Sequence, residues 1–193
     1  MTHAQGNRRP APLSAERLWY GPVIEAVFIK GLGPRLTPEV AALLRAEGID
    51  VDKVLPGYPV TQVVKACRRI LPVVFPGLPE RDAMAELGAL STRGYNETML
   101  GRAAIGFLKL IGIRRALESL NKTLRAGNNY LETRFTALAA NQAKIYLSDA
   151  SGIPDFYRGL LQEGGRLLKA PGFTVVDAPP TPPSHEFIVS WEG

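Results

Sequence analysis

The sequence predicts an α+β fold: a helical array across residues 14–126, then a β-β-α-β-β unit across 127–193 with a four-stranded, mainly antiparallel sheet. Three observations predict it. Apolar residues recur every three or four positions as far as "RAGNN", Arg125 to Asn129. Beyond that point the period falls to two, with Tyr130, Glu132, Arg134 and Thr136 alternating with Leu131, Thr133, Phe135 and Ala137. Proline and glycine stand where helices begin and end.

The first helix opens with Pro22 and closes near Gly31, carrying Val23, Ile24, Val27 and Phe28 as its apolar side. The second has Thr37 as N-cap, Pro38 at its first position and Gly48 as its stop. In the third, Val60, Val63, Val64, Cys67, Ile70, Leu71 and Val74 fall on one face, which turns Cys67 inward. Pro72, Pro76 and Pro79 break the chain before a helix from about Glu80 to Arg93 that buries Ala83, Leu87 and Leu90. Met99, Leu100, Ala103, Phe107 and Leu110 or Ile111 mark the next helix, and Leu117 and Leu120 continue it past Gly112 or begin another.

In the C-terminal unit, strands on either side of "AANQ" make a hairpin. A helix started by Pro154 follows, with Phe156, Leu160, Leu161, Leu167 and Leu168 apolar. "FTVVDA" and "EFIVSW" are the last strands, separated by the proline-rich "PPTPPS". At the junction, Gly127 suits a left-handed helix end, and Asn128 and Asn129 have the side chains to bond backbone groups left free there. Tyr130 is expected to pack between sheet and helices.

At 193 residues the chain is long enough to bury one substantial core, so a single domain over 14–193 is expected, preceded by a flexible tail over 1–13. The tail lacks the apolar segment of a secretory signal, and charges interrupt every long apolar run, which points to a cytoplasmic protein without a transmembrane helix. One cysteine and two histidines exclude an internal disulfide and leave too few ligands for a structural zinc site.

Catalytic motifs fail on inspection. "GRAAIGFLK" has the glycine separation of a phosphate-binding loop, but Phe107 and Leu108 replace its Lys and Ser/Thr. "GLGPRL" lacks the context of a dinucleotide site. His185 opens the last strand and reads as a solvated strand-end residue, so no Ser/His/Asp set assembles. The acidic pairs Asp50 with Asp52 and Glu80 with Asp82 sit where backbone amides attract carboxylates.

Charge is more informative. Between 102 and 125 the cations Arg102, Lys109, Arg114, Arg115, Lys122 and Arg125 face only Glu118, a surplus equal to the +5 of the whole chain. Such a segment attracts nucleic acid, anionic lipid or an acidic partner, and also describes a solvated helix face.

In chain order, "GYPVTQVVKAC", "FPGLPERDAMAELG", "GYNETMLGRA", "GNNYLETRF" and "FIVSW" resemble an uncharacterised family present as many paralogues in myxobacteria, over about residues 17–192. Its most specific words are Phe75-Pro76-Gly77 with Leu87-Gly88, Thr98-Met99-Leu100-Gly101-Arg102 and Asn128-Asn129-Tyr130. More distantly, the order of elements resembles the ligand-binding fold shared by haem nitric-oxide sensors, vinyl-reductase-type sensor domains and TRAPP subunits. That resemblance implies a pocket or a dimer surface, a homodimer, and a thiol at Cys67 open to acylation. Haem is not implied, because no histidine lies between positions 4 and 184 and the Tyr-x-Ser-x-Arg motif is missing. No cofactor and no metal is expected.

The leading functional expectation is a non-enzymatic cytoplasmic sensor or adaptor domain that binds a small apolar ligand or a regulatory protein. Cys67, Arg102, Asn129 and Tyr130 are its candidate ligand-binding residues, and Lys109, Arg114, Arg115, Lys122 and Arg125 its anion or partner surface. The alternatives are a protein that binds nucleic acid or an anionic surface through 102–125, and an enzyme whose site the sequence does not reveal.

Overall fold

A computed structural model describes residues 16–179 and 184–192. The expected tail over 1–13 and the centre of the proline-rich connection lie outside them. The architecture is α+β, with helices first and a four-stranded antiparallel sheet afterwards.

The helical part opens with a strand, β1 (Leu18–Tyr20), paired antiparallel with β2 (Gly57–Pro59). The sequence pattern did not announce this ladder, because three residues are too few to display a period of two. Helix α1 (Gly21–Ile24) starts one residue before Pro22 and passes into a π-helical turn over Glu25–Gly31. Helix α2 (Pro38–Ala46) is capped by Thr37, whose Oγ1 accepts from the Val40 amide at 3.3 Å, and Gly48 follows it at φ +80°. Helix α3 (Val60–Val74) buries the whole predicted face, Cys67 included, but Pro72 lies within its last turn and does not end it. The break comes at Phe75-Pro76-Gly77, where Gly77 takes φ +83°.

Helix α4 (Glu80–Glu97) is one turn longer than the pattern predicts and is the centre of the fold. Gly94 does not stop it; that position is where the π-helical turn comes closest, and a Cβ there would overlap the Ala26 carbonyl oxygen. On the opposite side α4 meets α7 (Pro154–Leu167) backbone to backbone. A Cβ on Gly88 would overlap the Phe156 carbonyl, and one on Gly159 the Ala85 carbonyl. Thr92 Oγ1, within 3.3 Å of both the Gly88 and Leu160 carbonyls, closes the same seam.

Thr98 ends α4 and caps α5 (Met99–Glu118), accepting from the Gly101 amide at 2.9 Å while donating to the Tyr95 carbonyl at 2.7 Å. Gly112, at φ +82°, breaks α5 in two. Helix α6 (Leu120–Arg125) leads into the junction. Strand β3 (Thr133–Ala139) begins later than the alternation from Asn129 suggested, since the Tyr130 and Leu131 amides are already bonded to a side chain. It pairs with β4 (Gln142–Leu147), which pairs with β6 (His185–Ser190), and β6 with β5 (Thr174–Asp177). The register sets Ala143 opposite Val189 and Ile145 opposite Phe187, all four buried. That inner face joins Phe28, Tyr58, Ile70, Leu87 and Phe156 in one core.

Candidate functional site

Three places contain the residues singled out by the sequence: the junction at 125–130, the interior at Cys67, and the basic helices α5 and α6.

At the junction Asn128 is the buried member, 7% exposed. Its Nδ2 donates to the Leu124 carbonyl at 2.9 Å, and its Oδ1 accepts from the Tyr130 and Leu131 amides at 3.1 and 2.7 Å. One side chain therefore satisfies the helix end behind it and the loop ahead. Asn129 reaches across the chain instead. Its Oδ1 accepts from the Leu18 amide at 2.8 Å and its Nδ2 donates to the Glu16 carbonyl at 2.8 Å. Gly127 is not left-handed as the sequence suggested; it is small because a Cβ would strike Val23, and its carbonyl accepts from the Tyr20 amide at 2.9 Å. Arg125 closes the junction by donating to the Asn129 carbonyl at 2.8 Å.

The Tyr130 hydroxyl is the centre of a polar cluster. It accepts from Trp19 Nε1 at 2.9 Å and from Ser151 Oγ at 3.0 Å, and lies 3.5 Å from the Tyr157 hydroxyl. Burial, followed by the neighbouring Tyr130, pushes Tyr157 well above the ordinary tyrosine range, so its hydroxyl stays protonated. Arg17 lies over the Tyr130 ring, 5.7 Å from its centroid, and pairs with Asp149. Trp19, Ser151 and Tyr157 escaped sequence reasoning because their contacts to Tyr130 span 21 to 111 residues and leave no local pattern.

Cys67 is fully enclosed, and burial pushes its thiol up to about 12. The thiolate is the nucleophile, so this group is inert while the core is closed. Alkylation by iodoacetamide near neutral pH is expected to be about a hundredfold or more slower in the native chain than in denaturant; comparable rates in the two states would show that Cys67 is exposed.

The basic residues do not converge. Arg102 is held at the start of α5 by donating to the Glu97 carbonyl at 2.9 Å. Arg114 pairs with Glu118 at 3.3 Å and lies over the Phe135 ring. Lys109, Arg115 and Lys122 are exposed. His185 is not the solvated residue expected: its side chain is 12% exposed and Nε2 lies 3.0 Å from Asp177 Oδ1. Asp177 also pairs with Arg81, which holds Asp155 of α7 at 2.9 Å, so this cluster fastens α4 and α7 to the sheet edge.

The family model for "Protein of unknown function (DUF2378)" matches residues 17–192. The chain belongs to the DUF2378 family. No curated protein matches it by sequence. Its fold matches solved H-NOX structures. An oxygen-binding H-NOX domain related to soluble guanylate cyclases superimposes with TM-score 0.70 at 11% identity, over 90% of this chain and 95% of that one. A mutant H-NOX from T. tengcongensis gives 0.69 at 11%, over 90% and 98%. A structure from work on H-NOX activation gives 0.63 at 13%, over 90% and 97%. At such identities the likeness establishes the fold.

Other matched H-NOX structures come from work on haem redox potential and haem distortion, so haem is the group to test against the DUF2378 chain, and the residues do not fit it. Among the described residues the one histidine is the Asp177-bound His185, and the enclosed Cys67 thiol and Tyr157 hydroxyl are held in their protonated forms. Two open hollows measure about 270 and 210 Å³, below the roughly 300–1,000 Å³ of small-molecule sites. Charged Glu80 borders both, with Arg81 and Asp155 at one and Arg68 at the other. Among the described residues no buried side-chain nitrogen or oxygen lacks a partner, and no group of three His, Cys, Asp or Glu could hold a metal. No described helix is long and apolar enough to cross a membrane.

Proposed function

We propose that this chain is a non-enzymatic sensor or adaptor domain, built on the H-NOX-like fold and acting through its surface. The observation that carries the reading is the condition of the interior. Every buried polar side chain described has a partner, and the hollows near the core are small and charged at the rim. A preformed ligand site presents convergent polar groups with unmet hydrogen bonds inside an apolar cleft. The Tyr130 cluster presents the reverse, with its donors and acceptors consumed by Trp19, Ser151 and Tyr157. A regulatory protein partner is therefore a better fit than a small apolar ligand, which would have to open the packing around Cys67 and Tyr157 to enter.

Titration of the purified chain with haem is expected to give no stoichiometric Soret shift. Native mass spectrometry combined with solvent extraction, applied to protein from its host, is expected to return the chain alone or with a protein partner. A haem or apolar small molecule retained at one equivalent would overturn the reading.

A further inference from the structure

The first half of α5, residues 99–111, is apolar on two sides. Inward, Gly101 and Ile105 are buried against the body. Outward, Met99, Leu100, Phe107 and Leu110 are 80%, 77%, 61% and 86% exposed. Spaced at three, four and seven residues with Ala103 between them, they form one strip about 17 Å long at the helical rise. A helix apolar all round is ordinarily covered on all sides, and a contiguous exposed row of this kind marks a contact surface.

The cations beside the strip indicate what covers it. Arg102 and Lys109, seven residues apart, share one of its edges, and Arg115, Lys122 and Arg125 are exposed on the far side of the break at Gly112. None of the five has a carboxylate partner among the described residues, and the segment's one acid, Glu118, is taken by Arg114. We propose that this face docks on an anionic bilayer surface, with the four apolar side chains seated at the acyl boundary and the cations at headgroup level. A second copy is disfavoured, because an antiparallel two-fold pairing keeps the Arg102 and Lys109 edges on the same side and brings like charges together. Nucleic acid would use the cations but leave the strip in water. The spread of charge over both α5 and α6 suits a continuous anionic sheet better than one acidic cleft.

The test is flotation of the full chain with vesicles of phosphatidylcholine, with and without phosphatidylserine. Partition is expected only with phosphatidylserine, weakening as salt rises. Leu110→Asp and Lys109→Glu are each expected to lower it by about tenfold or more. Because these side chains project into solvent, circular dichroism and the melting temperature should not change. Phe107→Trp supplies an insertion signal, a blue shift on phosphatidylserine vesicles, against the buried Trp19 and Trp191. Absent partition, equal partition on both vesicles, or insensitivity to both variants would overturn the proposal. A dimer dissolved by Leu110→Asp would reassign the strip to a second copy, and saturable binding of polyglutamate without vesicle binding would reassign it to an acidic protein; either result overturns the lipid assignment. All of these outcomes leave the adaptor reading standing, since it rests on the interior.

Discussion

Gly159→Ala is expected to lower the melting temperature by about 10 °C or to prevent folding. The added methyl group would overlap the Ala85 carbonyl oxygen, and neither atom has a flexible side chain through which to yield. The two helices must separate, which opens the packing of Phe156 and Leu87 at the centre of the core. Overpacking of this kind costs roughly 3 kcal/mol, and in a domain of this size each kcal/mol shifts the midpoint by about 2 to 4 °C. Gly88→Ala, on the facing helix, should behave alike. Gly164 supplies the control within α7: nothing lies within 4 Å of its Cβ position. Gly164→Ala should leave stability unchanged or raise it by up to about 1 kcal/mol through helix propensity. Thermal melts of the three variants decide the matter, and equal behaviour of Gly159→Ala and Gly164→Ala would contradict the backbone contact.

Asn128→Ala is expected to destabilise the chain by about 2 to 4 kcal/mol, more than Asn129→Ala at about 1 kcal/mol. Removal of the Asn128 amide leaves the Leu131 and Tyr130 amides without an acceptor and the Leu124 carbonyl with the Gly127 amide as its remaining donor. Asn129 is more exposed, so water can replace part of what its side chain supplies. Urea unfolding of both variants measures the difference. An inverted order would mean that attachment of β1, rather than the end of α6, is the critical function of the junction.

The extent to which the sequence disclosed this structure follows from the range of the forces involved. Thr37, Pro38 and Gly48 delimit α2 through contacts within a few residues, and the face of α3 is read from period alone. The outward strip of α5 shows the limit of that method: apolar residues on two sides satisfy the helical period whichever side is covered. The β3 boundary shows another. Tyr130 and Leu131 continue the alternation, but Asn128 takes their amides and withholds them from a ladder. Of the candidate site, Asn128 and Asn129 were visible as an unusual polar pair, with Tyr130 beside them. Trp19, Ser151 and Tyr157 were not, since a distant hydroxyl imposes no spacing on the chain.

The link between β1 and the junction has a consequence for the order of folding. Leu18 to Asn129, Trp19 to Tyr130 and Tyr20 to Gly127 are three hydrogen-bonded connections that close one loop of more than a hundred residues. Such a closure costs about 4 kcal/mol of chain entropy, and that cost is met once for all three. The first of these bonds to form therefore bears nearly the whole penalty, and the other two follow with little further loss. They should appear and disappear together, late in folding and early in unfolding, as a single latch whose release leaves the first strand held by β2 while α4 and α7 remain joined.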